Sequence, residues 1–167
     1  MKMVAPLFSV HDEDSDVSVS ATNGSVSLDT VLNANILNSS EDYDIIAGRI
    51  NGDFLAVDLS LNSALKGDIK KLDNGEFEVS LKVPDSLNGK SLVVYYIASD
   101  GTNETHEVTP VDGYAKFVTN HFSVYTLVEE GSLMDVPQTG DNIYAFIVLG
   151  LLSILGLVIN KRVIRCN

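Results

Sequence analysis

Alternation of apolar and polar residues is the feature that most limits the folds open to this chain. In residues 54–61, FLAVDLSL, every second residue from Leu55 onward is apolar. Residues 76–83, EFEVSLKV, repeat the pattern from Phe77 onward. Successive side chains of a β-strand point to opposite faces, so both stretches are predicted as strands with one buried face. The more continuous apolar run at residues 91–98, SLVVYYIA, predicts a central strand.

Turn residues separate the predicted strands at short intervals. Asn and Asp beside Gly tolerate the positive φ that tight turns require. A hairpin is predicted between GDIKKL and EFEVSL, and another between SLVVYYIA and ETHEVTP. About eight or nine strands of this kind, with no convincing amphipathic helix, predict an all-β fold, an antiparallel β-sandwich. The turn sites are Asn23-Gly24, Asn51-Gly52, Asp73-Asn74-Gly75, Asn88-Gly89, Asp100-Gly101 and Asp112-Gly113.

Composition divides the chain into consecutive segments. The stretch from Ile143 to Ile159 contains no charged residue, and as a helix it would measure about 25 Å, the short end of a membrane span. The predicted segments are an acidic N-terminal segment at 1–16, the β-sandwich at 17–130, a linker at 131–142, a transmembrane helix at 143–160 and a basic cytoplasmic tail at 161–167.

Charge is distributed unevenly between the body and the tail. All 23 acidic residues but only eight of the 11 basic residues precede the apolar run, so that part carries a net charge of −15. A strongly acidic body excludes nucleic acid as a partner, because such binding needs a basic surface. The only cysteine, Cys166, lies in the tail, so the body is held by its core without a disulfide.

A short motif lies directly before the apolar run. Its residues are Val136, Pro137, Gln138, Thr139 and Gly140, and the run after it ends in the basic residues Lys161, Arg162 and Arg165. The basic residues predict a stop-transfer signal with a cytoplasmic tail. A permanent single-pass anchor is one interpretation, but it does not explain the motif. The order of motif, span and tail resembles the LPXTG-type sorting signal of Gram-positive cell-wall-anchored surface proteins.

This resemblance implies processing by a sortase, a membrane transpeptidase. The sortase would cleave between Thr139 and Gly140, holding the Thr139 carbonyl as a thioester until an amine of a peptidoglycan precursor resolves it. Membrane contact through 143–159 would then be transient. The family has Leu where this chain has Val136, and one missing methylene in the pocket costs about 1 kcal/mol.

The body resembles β-rich modules that precede such signals in Gram-positive surface proteins. The resemblance covers roughly residues 54–130 and rests on the "VYY" strand, the Asp-Gly turn and the closing "HFSVY" stretch. It implies an immunoglobulin-like stalk that displays upstream domains, is not an enzyme and has no cofactor. An adhesin-type module for a glycan or host protein, or the C-terminal part of a surface enzyme, are the alternatives. The poor signal peptide at the N-terminus leads us to expect sequence upstream of Met1.

Other chemistry-bearing residues give weaker signals. Asp12, Asp14 and Asp16 begin like a calcium loop, but Val17 stands where such a loop needs Gly, so a solvated acidic linker is predicted. The scattered histidines do not have zinc-ligand spacing, so no metal site is predicted, and His121 is expected to hydrogen-bond within the fold. Four tyrosines could line a sugar-binding face or pack in the sheets, namely Tyr95, Tyr96, Tyr114 and Tyr125.

Overall fold

The structure is a computed structural model that describes residues 8–21, 26–69, 71, 75–97 and 103–134. These residues form eleven β-strands, one α-helix and one 3-10 turn. The strands are β1 Phe8–Asp12, β2 Val17–Ala21, β3 Thr30–Leu37, β4 Phe54–Ser63, β5 Gly67–Ile69, β6 Phe77–Lys82, β7 Leu92–Ile97, β8 Asn103–Glu107, β9 Thr109–Val111, β10 Tyr114–Thr119 and β11 Val124–Glu129; the helix is α1 Glu41–Ala47 and the turn is Asp85–Leu87.

The strands form two antiparallel sheets. The first sheet has the order β1-β2-β6-β10-β9, and the second has the order β3-β4-β11-β7-β8, with β5 paired to the end of β4. β8 and β9 follow one another but belong to different sheets, so the chain crosses between the layers at Val108. The all-β class and the antiparallel pairing predicted from the alternation are confirmed.

The core lies between the inward faces of the two sheets. Phe77, Val79 and Leu81 of β6 are fully buried, and they cluster with Leu59 and Leu61 of β4 on the facing sheet. The alternate residues of β6, such as Glu78 and Lys82, are exposed. This is the arrangement of a β-sandwich, and it follows from the two-residue period of the strands.

The second sheet is also covered on its outer face. α1 packs there through Ile46, which clusters with Val93 of β7 and Val128 of β11. β7 lies between β11 and β8 and is buried on both faces, as its continuous apolar run predicted. The sequence does not predict α1, because a helix of seven residues spans only about two turns and shows too little of the 3.6-residue period. α1 begins at an N-cap, where the Tyr43 backbone N–H donates to the Ser40 hydroxyl (3.0 Å).

One predicted hairpin is wrong and the other is confirmed. β5 pairs with β4 of the second sheet, whereas β6 pairs with β2 and β10 of the first, so Asp73-Asn74-Gly75 does not join a β5–β6 hairpin. Turn residues specify a reversal of the chain but not which strand becomes the partner. β7 and β8 do pair antiparallel, from Val93 opposite Glu107 to Ile97 opposite Asn103.

The fold extends beyond the predicted limits of 17–130 at both ends. β1 begins at Phe8, which is 6% exposed in the core, so the segment 1–16 is not only an acidic linker. At the other end Ser132 and Met134 hydrogen-bond to the body. No helix among the described ranges is long and apolar enough to cross a membrane, and the predicted helix at 143–160 lies outside them.

Truncating a core side chain at the centre of β6 should destabilise the module strongly. Leu81 is fully buried, so Leu81→Ala should lower the free energy of unfolding by about 2–5 kcal/mol through lost burial and the cavity left behind. Val118, which is 46% exposed in the same sheet, is the matched control, and Val118→Ala should change it by less than about 0.5 kcal/mol. Urea unfolding followed by tyrosine fluorescence measures both; equal effects would contradict this packing.

Candidate functional site at the chain exit

The sorting motif predicted from the sequence lies just after the described part of the chain. Val136, Pro137, Gln138, Thr139 and Gly140 are all outside the described residues, as are Lys161, Arg162 and Arg165 of the predicted stop-transfer signal. The structure does describe the residues that lead to the motif, up to Met134. This exit is therefore the part of the fold that bears on the predicted processing.

The last strand of the module is held on both sides. β11 pairs antiparallel with β4 from Val124 opposite Asp58, and with β7 through Glu129 opposite Leu92. Its central residues Tyr125 to Val128 are fully buried, because sheet partners, core and α1 cover them. The chain thus leaves the module from an interior strand that cannot detach without breaking two ladders.

The residues after β11 fold back onto the loop that follows α1. The Asn51 backbone N–H donates to the Ser132 carbonyl and the Met134 N–H donates to the Arg49 carbonyl, each at 2.8 Å. Between these bonds Leu133 lies opposite Ile50 in an antiparallel bridge. Ile50 is 5% exposed and Leu133 is half-buried against the same apolar cluster. We call the pairing of Ser132–Met134 with Arg49–Asn51 the exit clamp.

The described chain begins and ends at opposite ends of the sandwich. One row of the first sheet joins Phe8, Ala21, Phe77 and Thr119, and Thr119 contacts Tyr125 at the start of β11. We call this end the N-terminal pole. β11 runs away from it to the exit clamp, which marks the C-terminal pole.

A compact polar network closes the N-terminal pole. The Tyr125 hydroxyl lies 2.7 Å from the Thr119 hydroxyl, from His121 Nδ1 and from the His121 carbonyl. This side-chain bond to the backbone four residues upstream resembles the tyrosine corner of β-sandwiches. His121 therefore hydrogen-bonds within the fold, as predicted. Burial raises the pKa of Tyr125 well above its usual value of 10, and the Thr119 hydrogen bond opposes part of that rise.

Removing one oxygen from this network should destabilise the module. Tyr125→Phe removes the buried hydroxyl that contacts Thr119, His121 Nδ1 and the His121 carbonyl, leaving only the 3.1 Å bond from the Thr119 hydroxyl to that carbonyl, so the free energy of unfolding should fall by about 1–3 kcal/mol. Tyr114→Phe removes a part-buried hydrogen bond to Asp16, and it should lower the free energy of unfolding by less than about 1 kcal/mol. Because the folded-state pKa of Tyr125 is raised, its stabilisation is complete below pH 10 and declines above it. Urea titrations at pH 7 and 10.5 test this; an unchanged pH dependence in Tyr125→Phe would contradict it.

A cleft of about 590 Å³ opens where the chain crosses between the sheets. Its lining includes Glu78, His106 and Lys116, and the Lys116 ammonium pairs with Glu78 at 3.1 Å. His106 is 8% exposed, and its Nδ1 lies 2.9 Å from the Val118 carbonyl. Since a carbonyl only accepts, Nδ1 carries the proton and the buried Nε2 has no hydrogen-bond partner. The sequence does not predict this cleft, because the residues that line it come from four separate strands.

The acidic N-terminal residues have structural roles. Asp12 accepts from the Ser15 backbone N–H (3.0 Å) and hydroxyl (2.8 Å), and these bonds lower its pKa. Asp16, at φ 55°, accepts from the Tyr114 hydroxyl at 3.0 Å. Within the described ranges no group of three or more His, Cys, Asp or Glu side chains is arranged to hold a metal ion.

The four tyrosines do not share one surface. Tyr125 is fully buried in the core, and Tyr95 is 9% exposed under α1 on the outer face of the second sheet. Tyr96 packs its ring on Tyr125 and His121, while Tyr114 lies on the first sheet beneath the Lys82 ammonium. Packing within the sheets therefore accounts for all four, and they do not form a common sugar-binding face.

Comparison with known proteins adds no relative to these observations. No protein-family model, curated protein or solved structure matches the chain.

Proposed function

We propose that this chain is the C-terminal part of a cell-wall-anchored surface protein, an immunoglobulin-like stalk module that a sortase attaches to peptidoglycan. The sortase cleaves between Thr139 and Gly140, and an amine of the peptidoglycan precursor takes over the Thr139 acyl group. The helix at 143–160 and the basic tail hold the chain in the membrane until then. The protein is a sortase substrate and itself catalyses no reaction.

The observation that carries this proposal is the order of three sequence features. The motif at 136–140 is followed by an uncharged run and then by a basic tail. Each residue of the motif suits its step. Pro137 reduces the conformational entropy that the peptide loses on binding, Thr139 supplies the acyl carbon, and Gly140 leaves room for the nucleophile.

The geometry of the module supports the stalk role. A spacer must receive the chain at one end and release it at the other, and here Phe8 and the exit clamp lie at opposite poles. Along β11 alone the chain advances about 20 Å from one pole towards the other. The interior position of β11 also suits a strand that transmits load to an anchor, because the bonds of both ladders share that load.

Expression behind a secretory signal peptide in a Gram-positive host, with and without its sortases, tests the proposal. With a sortase that accepts the motif, the protein should be released only by enzymes that digest peptidoglycan. Without sortase, it should be extracted by detergent from the membrane at its uncleaved mass. If the protein is found in the detergent fraction in both hosts, it is a permanently anchored membrane protein and the proposal is wrong.

A ligand-binding role is the second candidate, and the cleft at His106 favours it. The cleft is lined by hydroxyl, carboxylate and ammonium groups, including Thr105, Glu78 and Lys116, which suits a polar ligand such as a glycan. Screening the protein against glycans and matrix proteins tests this role. Binding that is lost in Lys116→Ala but kept in Lys90→Ala, at the C-terminal pole, would establish it.

A further inference from the structure

The exit clamp ends immediately before the sorting motif. Met134 is hydrogen-bonded to Arg49, and Asp135 is the single residue between Met134 and Val136. One residue of extended chain spans at most about 3.6 Å. With the clamp closed, one residue of chain therefore separates the hydrogen-bonded module from the motif.

A sortase needs more free chain than this. A five-residue motif bound as an extended peptide is about 17 Å long, and it must lie in a groove deep enough to bury it. The residues that precede Val136 have to clear the rim of that groove, which one residue cannot do. Opening the clamp frees residues 131–135, which reach about 17 Å.

The clamp is built as a unit that can open by itself. Two backbone hydrogen bonds join the paired stretches, a third runs from the Ser132 N–H to the Glu129 carbonyl at 3.1 Å, and Leu133 is the one half-buried apolar side chain. The clamp leaves β11 at Gly131, which adopts a φ of +84° that glycine takes without strain. Opening stops there, because Glu130 donates to the Ser91 carbonyl at 2.8 Å and Glu129 pairs with Lys90 at 3.0 Å. Short segments with few contacts open far more easily than the core.

We infer that the exit clamp is an autoinhibitory contact that limits how fast a sortase acts on this chain. The inference rests on the proposed function, since it requires that the motif is cleaved. The sortase binds only the open form, so its kcat/KM falls in proportion to the fraction of molecules whose clamp is open. Residues Arg49–Asn51 thus influence cleavage through their pairing with Ser132–Met134.

Lengthening the chain after the clamp should raise the cleavage rate. The substrate is the full chain in detergent micelles, treated with a purified sortase that cleaves a Val-Pro-Gln-Thr-Gly peptide. Five Gly and Ser residues inserted after Met134 should increase kcat/KM at least about tenfold, approaching the value for a synthetic peptide of residues 131–142. The same insertion after Leu65, which is exposed in the turn between β4 and β5, should leave kcat/KM unchanged.

Locking the clamp should have the opposite effect. The two clamp hydrogen bonds flank Ile50 and Leu133, which makes them a non-hydrogen-bonded pair with Cα atoms about 4.5 Å apart, within the range of a disulfide. Ile50→Cys with Leu133→Cys, in a Cys166→Ser background, should be cleaved at least about tenfold more slowly when oxidised and recover on reduction. The insertion after Met134 should restore cleavage of the oxidised form.

Two results would overturn the inference in distinguishable ways. If the parent chain, the insertion variant and the locked variant are cleaved at equal rates, the clamp does not restrain the sortase, while the proposed function stands. If no purified sortase is found that cleaves a Val-Pro-Gln-Thr-Gly peptide or any full-length variant, the proposed function fails and the inference fails with it.

Discussion

Thr139→Ala should remove the protein from the cell wall. The alanine lacks both the hydroxyl and the methyl group that a threonine-specific pocket contacts, and a site that pairs with a hydroxyl rejects an analogue without it by orders of magnitude. We expect cleavage to slow by about 100-fold or more, with the uncleaved chain accumulating in the membrane. Separating wall, membrane and medium after expression measures this.

The controls for Thr139→Ala come from the same motif. Gln138 occupies the variable position of the signal that the motif resembles, so Gln138→Ala should remain wall-linked. Pro137→Ala should also reduce wall attachment, because it restores conformational freedom that binding must remove. If Thr139→Ala and Pro137→Ala both stay covalently linked to the wall, the motif is not the sorting signal.

Neutralising the basic tail should release the protein into the medium. Lys161, Arg162 and Arg165 give the tail a net charge of +3, and charges of this kind oppose transfer across the membrane. Replacing all three by Gln lets the short apolar run pass through before the sortase acts. We expect at least about half of the protein to appear in the medium with its C-terminus intact.

A matched loss of charge elsewhere tests whether position matters. Lys2, Lys70 and Lys71 also sum to three positive charges and lie before the apolar run. Replacing them by Gln should leave wall attachment unchanged. Release into the medium by both triple variants would mean that net charge, rather than a stop-transfer signal, controls retention.

The alternation of apolar and polar residues predicts most strands correctly, because the pattern of each strand lies within its own residues. The alternation at 76–83 became β6 with Phe77, Val79 and Leu81 buried, and the apolar run at 91–98 became the interior strand β7. Which strands pair is decided by contacts distant in sequence. That is why local pattern predicts the wrong partner for β5, and why it includes β1, which is followed by four acidic or polar residues, in the acidic N-terminal segment.

The same contrast between local and distant residues applies to the candidate site. The motif at 136–140 is contiguous, so the sequence alone predicts it. The exit clamp joins Arg49–Asn51 to Ser132–Met134, two stretches about 80 residues apart that are too short to show strand periodicity. Their pairing arises only when α1 packs on the second sheet next to β11. The structure therefore reveals the exit clamp, which ends two residues before the motif and which the sequence does not predict.

On the proposed function, the lasting attachment of the protein is a covalent bond at Thr139. Peptidoglycan digestion followed by proteolysis and tandem mass spectrometry of the C-terminal peptide tests it most directly. We predict a peptide that ends at Thr139 and carries a peptidoglycan stem fragment in amide linkage to its carboxyl group. If the main product from wall-associated protein is a peptide that continues through Gly140 into the apolar run, covalent attachment at Thr139 is contradicted.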